Sequence, residues 1–162
     1  MNISQKIRPC LWFEDQAEEA ATFYTSIFDD SAILETSHYG EGAPMPAGTV
    51  LTVTFRLAGQ QFMALNGGPE FNFTEAISFY VDCETQAEVD GLWAKLSAGG
   101  EEGPCGWLKD KYGLSWQITP GILGRMLQDE DTARAQRVMA AMLQMSKIDI
   151  AKLQQAYDGT AI

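Results

Sequence analysis

The stretch that decides the fold runs from Gly103 to Pro120 and has the sequence GPCGWLKDKYGLSWQITP. Its second half alternates apolar with polar residues, in the order Leu114, Ser115, Trp116, Gln117, Ile118, Thr119. This alternation predicts a β-strand with one apolar face and one polar face. The charged run Lys109-Asp110-Lys111, followed by Gly113, predicts a tight turn, because glycine takes a positive φ without steric cost. The stretch therefore predicts two strands joined by a turn, and Pro120 ends the second strand because it lacks an amide hydrogen.

The residues before this stretch predict a strand and a helix. Residues 75–83 alternate between two faces and predict the strand. Thr85 is the predicted N-cap of a helix over residues 86–97, and Gly99-Gly100 ends that helix. The apolar residues of the helix recur at helical spacing and form one face: Val89, Leu92, Trp93 and Leu96.

The start of the chain predicts the same order of elements. A strand is predicted over residues 6–13, where Pro9 indicates an edge position or a local break in the ladder. Asp15 is the predicted N-cap of a helix that runs to about Phe28. A Gly- and Pro-rich loop interrupts the strands that follow, which are predicted at residues 32–39, 49–57 and 61–66.

An internal repeat links the two halves of the chain. Gln16-Ala17-Glu18 recurs as Gln86-Ala87-Glu88, an offset of 70 residues. The same offset pairs Phe23 with Trp93. Self-similarity of this kind, with the same order of elements, predicts two copies of one module that contains a strand, a helix and a strand meander.

Residues 121–162 predict a helical tail. Apolar residues at helical spacing predict a helix over residues 129–145, and Asp149 is the predicted N-cap of a shorter helix. The longer helix carries a methionine stripe at Met139, Met142 and Met145. We expect this stripe to pack against the body or a second subunit, with a ligand groove as the alternative.

The composition limits the partners and the location of the protein. The chain has 162 residues and a formal net charge of −11. This charge argues against nucleic acid and anionic membranes as partners, because both need Lys and Arg to neutralise phosphate. No apolar run is long enough to span a membrane, and the first residues lack a secretory apolar region, so we expect a cytoplasmic protein. The cysteines have no metal-type spacing and predict reduced, mostly buried thiols at Cys10, Cys83 and Cys105.

The doubled order of elements, together with the run from Asp110 to Ile118, resembles the vicinal oxygen chelate superfamily, which includes glyoxalase I, bleomycin-resistance proteins and extradiol dioxygenases. The runs QQFMALNGG at residues 60–68 and GPCGWLKDKYG at 103–113 are similar to its PhnB-like branch, often labelled 3-demethylubiquinone-9 3-methyltransferase-like. The resemblance implies a homodimer and an α+β fold of two βαβββ modules. The modules are expected at residues 6–68 and 75–120 of a single domain over 1–120, with a helical extension at 121–162.

The resemblance also implies that each sheet curves around a cavity and carries its helix on the other side. Six apolar residues are expected under the helices: Ile7, Leu11, Phe13, Ile77, Phe79 and Val81. Eight residues form the predicted ligand site: Arg8, Cys10, Trp12, Asn66, Ser78, Tyr80, Trp107 and Gln117. Trp116 is a further candidate wall, with a place in the core as the alternative. Arg8 indicates an anionic or carbonyl-bearing ligand, or else pairs with Asp82.

Metal-dependent relatives hold their ligands at positions that correspond to Arg8, Ser78, a residue near Met63, and Gln117. Arginine stays protonated, and Ser and Met are poor ligands for hard divalent ions, so only Gln117 suits a metal there. The sole histidine, His38, is expected to be a surface or core residue. The sequence therefore predicts no metal and no cofactor.

These residues predict a metal-independent protein that binds a small molecule of unknown identity. One alternative is a resistance-type protein that sequesters a drug-like molecule, and another is an enzyme with an unrecognised metal or cofactor site. The methyltransferase label finds little support, because an S-adenosylmethionine site needs a glycine-rich turn after a first parallel strand. The run Gly40-Glu41-Gly42 lies between predicted antiparallel elements instead.

Overall fold

The computed structural model describes residues 5–160, and the chain divides into two compact units between Asn72 and Phe73. The first unit contains a four-stranded sheet and a helix: β1 (Cys10–Phe13), α1 (Ala17–Ile27), β2 (Ala32–His38), β3 (Val50–Leu57) and β4 (Gln60–Asn66). Its strand order is β1-β4-β3-β2. The β1 and β4 strands run parallel, and the other pairs run antiparallel.

The second unit begins with the same architecture. Its elements are β5 (Ser78–Cys83), α2 (Gln86–Ser97), β6 (Glu101–Glu102), β7 (Trp107–Lys109) and β8 (Ser115–Pro120). The strand order is β5-β8-β7-β6, with β5 and β8 parallel. Three helices follow: α3 (Gly121–Leu127), α4 (Thr132–Met142) and α5 (Ile150–Asp158).

The register of the strands confirms the internal repeat. Cys10 lies opposite Met63 in the first sheet, and Tyr80 lies opposite Gln117 in the second. Cys10 and Tyr80 are separated by the same 70 residues that separate Gln16 from Gln86. The α+β fold of two βαβββ modules with a helical tail is therefore confirmed. The assignment of residues 1–120 to a single domain stays a prediction.

The apolar face of each sheet is covered by its helix. In the first unit the buried residues include Leu11 and Phe13 of β1, Tyr24 of α1, and Val53 and Phe55 of β3. In the second unit they are Cys83, Val89, Leu92, Trp93, Leu96, Leu108, Leu114, Trp116 and Ile118. Burying one large apolar side chain contributes about 1.5–3 kcal/mol.

Two of the residues expected under the helices are exposed instead. The side chain of Ile7 is 83% exposed and that of Ile77 is 55% exposed. Both precede the paired strands, since β1 begins at Cys10 rather than Lys6 and β5 begins at Ser78 rather than Glu75. The apolar alternation continues beyond the hydrogen-bonded ladder, so it overestimated both strands. Phe79 and Val81 lie within β5 and are half-buried.

The two helix starts differ in how they are capped. Thr85 is the N-cap of α2, as predicted, and its side chain accepts a hydrogen bond from the amide of Glu88. The prediction for Asp15 is wrong, because Gln16 is the N-cap residue of α1 and makes no side-chain capping bond. The first amide of α1, at Ala17, donates instead to Oδ1 of Asn66 at 2.8 Å.

The helical tail packs around its own apolar cluster. Buried residues from α3, α4, α5 and the loop before α5 form it: Leu123, Met126, Val138, Ile148 and Leu153. Met142 and Met145 pack against this cluster within the tail itself, rather than against the body as expected, and Met139 is 40% exposed. Packing of the stripe against a second subunit stays a prediction. The α3 helix was not predicted, and α4 is shorter than predicted because it starts after its N-cap, Asp131.

The side chain of Gln86 joins the tail to α2. Its Nε2 donates to the carbonyl of Ile148 at 3.0 Å, and its Oε1 accepts from the amide of Ile150 at 2.8 Å. An ion pair at 2.7 Å between Lys147 and Asp90 lies nearby. Asp149 caps α5, as predicted, by accepting from the amide of Lys152.

The turn between β7 and β8 is built around the carboxylate of Asp110, which is 2% exposed. Its Oδ1 accepts from the amides of Tyr112 at 2.8 Å and Leu114 at 3.1 Å. Its Oδ2 accepts from Nε1 of Trp116 at 2.9 Å. The sequence indicated a polar turn here, but the aspartate is one of its most buried residues.

The Asp110→Ala variant is expected to lose about 3 kcal/mol of unfolding free energy, because it leaves buried N–H donors without an acceptor. Urea denaturation followed by tryptophan fluorescence measures the loss. Asp15→Ala is the matched control, since this exposed aspartate makes no capping bond. Its stability should change by less than about 0.5 kcal/mol. Equal losses in the two variants would contradict the role assigned to Asp110.

The Gln86→Ala variant is expected to lose about 1–2 kcal/mol of stability, because it breaks both hydrogen bonds between α2 and the tail. Gln16→Ala is the control, since Gln16 occupies the equivalent repeat position but makes no side-chain cap. Thermal unfolding compares the two variants. If Gln86→Ala loses no more stability than Gln16→Ala, these hydrogen bonds do not hold the tail on α2.

Candidate functional site

The candidate site lies on the face of the second sheet that is turned away from α2. We call this surface the polar face and define it by six residues: Ser78 and Tyr80 of β5, Trp107 and Lys109 of β7, and Ser115 and Gln117 of β8. The intervening residues Leu108, Trp116 and Ile118 point to the other face and are buried. The polar face therefore follows directly from the period of two in the strands.

Four predicted site residues meet on the polar face. Gln117 lies opposite Tyr80 on one side and opposite Trp107 on the other. Its Nε2 donates to Oγ of Ser78 at 2.9 Å. The structure thus brings Ser78, Tyr80, Trp107 and Gln117 together, and their role in ligand binding stays a prediction.

A groove of about 540 Å³ opens beside these residues. It is lined by the loop and strands around β7, by the end of the turn before β5, and by the start of β8: Glu75, Glu101, Glu102, Gly103, Pro104, Trp107, Leu108, Lys109 and Ser115. Ser115 is 1% exposed, and its Oγ has no hydrogen-bond partner among residues 5–160. Such a group is unusual, because nearly all buried polar side chains are paired.

An ion pair lies at the mouth of the groove. Nζ of Lys109 is 2.5 Å from Oε1 of Glu75. The hydrogen bond from Lys109 lowers the pKa of the Glu75 carboxyl below its ordinary value, and the same bond raises the pKa of Lys109. Both side chains are partly exposed, so solvent screens the pair and limits its contribution to stability.

The predicted residues of the first unit do not all share one surface. Cys10 and Trp12 lie on the face of β1 away from α1, whereas Arg8 is exposed and precedes the strand. Asn66 lies opposite Phe13, on the face that packs against α1. There its amide nitrogen donates to the carbonyl of Val50 and its oxygen accepts from Ala17. The structure therefore gives Asn66 a place in the core of the module and does not bring it to the other predicted residues.

The ring of Trp12 is held by the loop after β4. Its Nε1 donates to the carbonyl of Gly68 at 2.9 Å, and its ring makes an edge contact with Phe71 at a centroid distance of 4.9 Å. Gly67 leaves room for this ring, because a Cβ there would lie 2.3 Å from it. Arg8 and Asp82 belong to different units, and the alternative ion pair between them stays a prediction.

Two other residues discussed from the sequence, Trp116 and His38, lie outside the polar face. Trp116 is 2% exposed and bonded to Asp110, so it belongs to the core rather than to a ligand wall. His38 is exposed at the end of β2, which confirms a surface residue.

The cysteines are less buried than predicted. Only Cys83 is buried, and desolvation raises its pKa to about 12. Cys10 is exposed and Cys105 is half-buried. Desolvation by the surrounding protein atoms also raises the pKa of Cys10, although its side chain is exposed, so the thiol is protonated at neutral pH.

Of the nine residues that line the groove, the sequence prediction named only Trp107. Ser115, Lys109 and Glu75 are among the eight that it missed. The alternation that placed Gln117 on the polar face also placed Ser115 there, two residues earlier. Extending the alternation from Trp107 places Lys109 on the same face. No local signal indicates Glu75, because it reaches the groove through a contact with a residue far along the chain.

The residues present do not suit a family metal site. Met63 pairs with Cys10 in the first sheet as Gln117 pairs with Tyr80 in the second, so the two residues occupy equivalent positions in the repeat. Both are positions at which the resemblance to metal-dependent relatives expects a ligand. Arg8, Met63 and Ser78 are nevertheless poor ligands for a hard cation. Within residues 5–160 no three or more His, Cys, Asp or Glu side chains gather where they could hold an ion.

The turns that follow the parallel strands do not suit S-adenosylmethionine either. The β1–α1 turn is Glu14-Asp15-Gln16 and the β5–α2 turn is Glu84-Thr85. A nucleotide site of the usual kind needs glycines there, so that the backbone can approach the ligand closely. These turns carry carboxylates instead of glycines.

Comparison with known proteins identifies the family. A family model described as 3-demethylubiquinone-9 3-methyltransferase matches residues 5–119, most of the chain. The chain belongs to this family. It is the PhnB-like branch of the vicinal oxygen chelate superfamily, as the sequence predicted. No curated protein matches the sequence.

Solved structures agree with this family. The PhnB-like chain is 45% identical to a Bacillus cereus structure titled putative 3-demethylubiquinone-9 3-methyltransferase, PhnB protein, with a TM-score of 0.65. The match covers 72% of this chain and 100% of that one. Protein PA1353 from Pseudomonas aeruginosa is 20% identical over 72% and 98% of the two chains, with a TM-score of 0.61.

A fosfomycin resistance protein shares the fold. A FosX variant from Listeria monocytogenes is 17% identical, with a TM-score of 0.55, over 78% of this chain and 99% of that one. That structure holds Mn(II) and a dihydroxypropylphosphonic acid. At this identity the likeness concerns the fold alone. No helix among residues 5–160 of the PhnB-like chain has the length and apolar character needed to cross a membrane.

The Lys109→Met variant is expected to raise the pKa of Glu75 toward its ordinary value, because the lysine charge favours the ionised carboxyl. An NMR pH titration of the glutamate side-chain carbons measures this change. The pair stabilises the fold at neutral pH. That stabilisation is lost as pH falls through the Glu75 pKa, or as pH rises through the Lys109 pKa. Lys95→Met is the control and should leave the titration of Glu75 unchanged; a shifted Glu75 in that variant would refute the specific pairing.

Proposed function

We propose that the groove on the polar face binds a small organic molecule without a metal ion. The single observation that carries this proposal is the hydroxyl of Ser115, which is buried, lines the groove and has no partner among the described residues. A buried polar group without a partner costs about 1–3 kcal/mol. A ligand that hydrogen-bonds to this hydroxyl would offset that cost.

The other walls of the groove suit a ligand of modest size. A volume of about 540 Å³ lies within the usual range for small-molecule pockets. Trp107 and Pro104 supply apolar surface, while Ser115 and Lys109 supply hydrogen bonds. Gln117 extends the polar surface beside the groove, because it lies opposite Trp107. A few polar groups among apolar walls are typical of ligand sites.

Two alternatives receive less support. The family description and the name of the Bacillus cereus protein refer to methyl transfer to 3-demethylubiquinone. The acidic turns after β1 and β5 do not favour that reaction here, since they lack the glycines of a usual S-adenosylmethionine site. Sequestration of a drug-like molecule would use the same groove, and the absence of turnover of the bound ligand would distinguish it from catalysis.

A homodimer and a cytoplasmic location belong to this proposal as predictions from the sequence. Ile33 and Leu34 of the edge strand β2 are exposed by 41% and 43%, and exposed apolar residues on a sheet edge favour pairing. The mass of the protein in solution, measured by light scattering, tests the dimer.

Replacing Ser115 by alanine is expected to have two opposite effects. Without ligand, Ser115→Ala should raise the unfolding free energy by about 1 kcal/mol, because it removes an unpaired buried hydroxyl. With ligand, it should reduce the thermal shift that binding produces. A thermal-shift screen with a panel of small metabolites measures both effects.

Ser78→Ala is the matched control for this prediction. Ser78 lies opposite Ser115 on the same face, but its hydroxyl is already paired with Gln117. The control should lose stability rather than gain it. Hits that bind equally well to wild type, Ser115→Ala and Trp107→Leu would show that the groove is not the site. Arg8→Ala in the same screen tests the predicted place of Arg8 in the ligand site.

A further inference from the structure

We propose that the groove selects a positively charged small molecule with a flat apolar part. This inference rests on the proposed function and adds the charge and shape of the ligand. It is carried by the distribution of charge and burial around the groove, where two exposed carboxylates flank Lys109, Trp107 forms a wall and the buried residue Ser115 lies in the lining.

The charges at the mouth do not balance. Three glutamates line the groove, Glu75, Glu101 and Glu102, but Glu102 lies opposite Leu108, on the face of the sheet that packs against α2. The carboxylates of Glu75 and Glu101 are therefore the two that stand against the single ammonium group of Lys109. Lys109 compensates Glu75 through their ion pair. Glu101 lies opposite Lys109 in the β6–β7 pair, and Glu102 accepts a hydrogen bond from the neutral indole of Trp93. The polar face of the groove therefore carries one excess formal negative charge, from Glu101.

The residues that line the groove differ in how far they are buried. Glu75, Glu101 and Glu102 are exposed, Trp107 and Lys109 are half-buried, and Ser115 is buried. An ammonium or amidinium group placed at the mouth would meet the carboxylates without leaving water completely, which avoids the cost of burying a charge. A flat apolar part below it would contact Trp107. A cation close to an indole ring is also attracted by the negative face of the ring.

The hydroxyl of Ser115 then completes the site. Its oxygen can accept a hydrogen bond from an N–H or O–H group of the ligand, and its proton can be donated to an acceptor of the ligand. The need for a hydrogen-bonding group on the ligand is independent of the charge at the mouth, because it comes from the unpaired hydroxyl of Ser115. The two observations together describe a ligand with a polar end at Ser115 and a cationic end at the mouth.

The net charge of the chain acts in the same direction. A protein with a formal charge of −11 attracts cations and repels anions at long range. An anionic ligand would also have to displace Glu75 from Lys109 and then face Glu101. Arg8 indicated an anionic or carbonyl-bearing ligand for the predicted site, and an anionic ligand is the competing outcome of the test below.

The experiment compares three naphthalene probes of similar size and different charge, each with a hydroxyl group at the far end of the ring for Ser115: the 6-hydroxy forms of 2-naphthylmethylammonium, 2-naphthylmethanol and 2-naphthoate. Isothermal titration calorimetry measures their dissociation constants for the full chain in low salt and in about 1 M salt, where the Debye length is roughly 3 Å. The cation is expected to bind roughly two- to fivefold more tightly than the alcohol in low salt. That preference should largely disappear in high salt, and naphthoate should bind most weakly.

Glu101→Gln is expected to reduce the preference for the cation, because it removes a carboxylate from the mouth. Glu130→Gln is the matched control, since it removes the same charge from an exposed position between α3 and α4, outside the groove, and should leave the preference unchanged. Equal effects of the two variants would show that only the overall charge matters, and would overturn the inference.

Other outcomes separate this inference from the proposed function. Equal binding of the three probes, or tightest binding of naphthoate, overturns the cationic ligand. The proposed function survives either result if Ser115→Ala and Trp107→Leu still weaken binding. If neither variant changes the binding of any probe, the groove is not the site and both proposals fail. A lack of saturable binding by all three probes also overturns the inference.

Discussion

The carboxylate of Asp110 is buried in the turn between β7 and β8, where it accepts hydrogen bonds from two backbone amides and from the indole of Trp116. These bonds fix the turn and the core at once, because Trp116 belongs to the apolar face of the sheet. With the turn fixed, Lys109 and Ser115 become opposite residues. The groove depends on that pairing, since both residues line it.

The tail supports the same region from the other end of β7. The amides of Cys105 and Gly106 donate to the carbonyls of Met145 and Ser146, each at 2.8 Å. Gln86 holds the next residues of the tail on α2. The loop before β7, which supplies Gly103 and Pro104 to the groove, is therefore braced by a segment that has no counterpart in the first module. The fold tolerates the unpaired hydroxyl of Ser115, because the stabilising contacts around it outweigh the free-energy cost of burying a polar group without a partner.

Local signals predicted the elements that depend on local chemistry. The alternation from Leu114 to Thr119 and the caps at Thr85 and Asp149 each involve residues close in sequence, and the structure contains all of them. The cap predicted at Asp15 failed, because Asn66 reaches the start of α1 from a distant strand. Ile7 and Ile77 failed for a related reason: an apolar alternation does not show where a partner strand ends.

The sequence alone determined the doubled module, the family and the polar face of the second sheet, since periodicity and the 70-residue offset are local or internal properties of the chain. It could not distinguish Ser78 from Ser115, two serines of the same face that lie opposite each other. Only the tertiary structure pairs Ser78 with Gln117, leaves the hydroxyl of Ser115 unpaired in the groove and brings Glu75 to Lys109. Hydrogen-bond satisfaction depends on partners distant in sequence, so the candidate site became visible only in three dimensions.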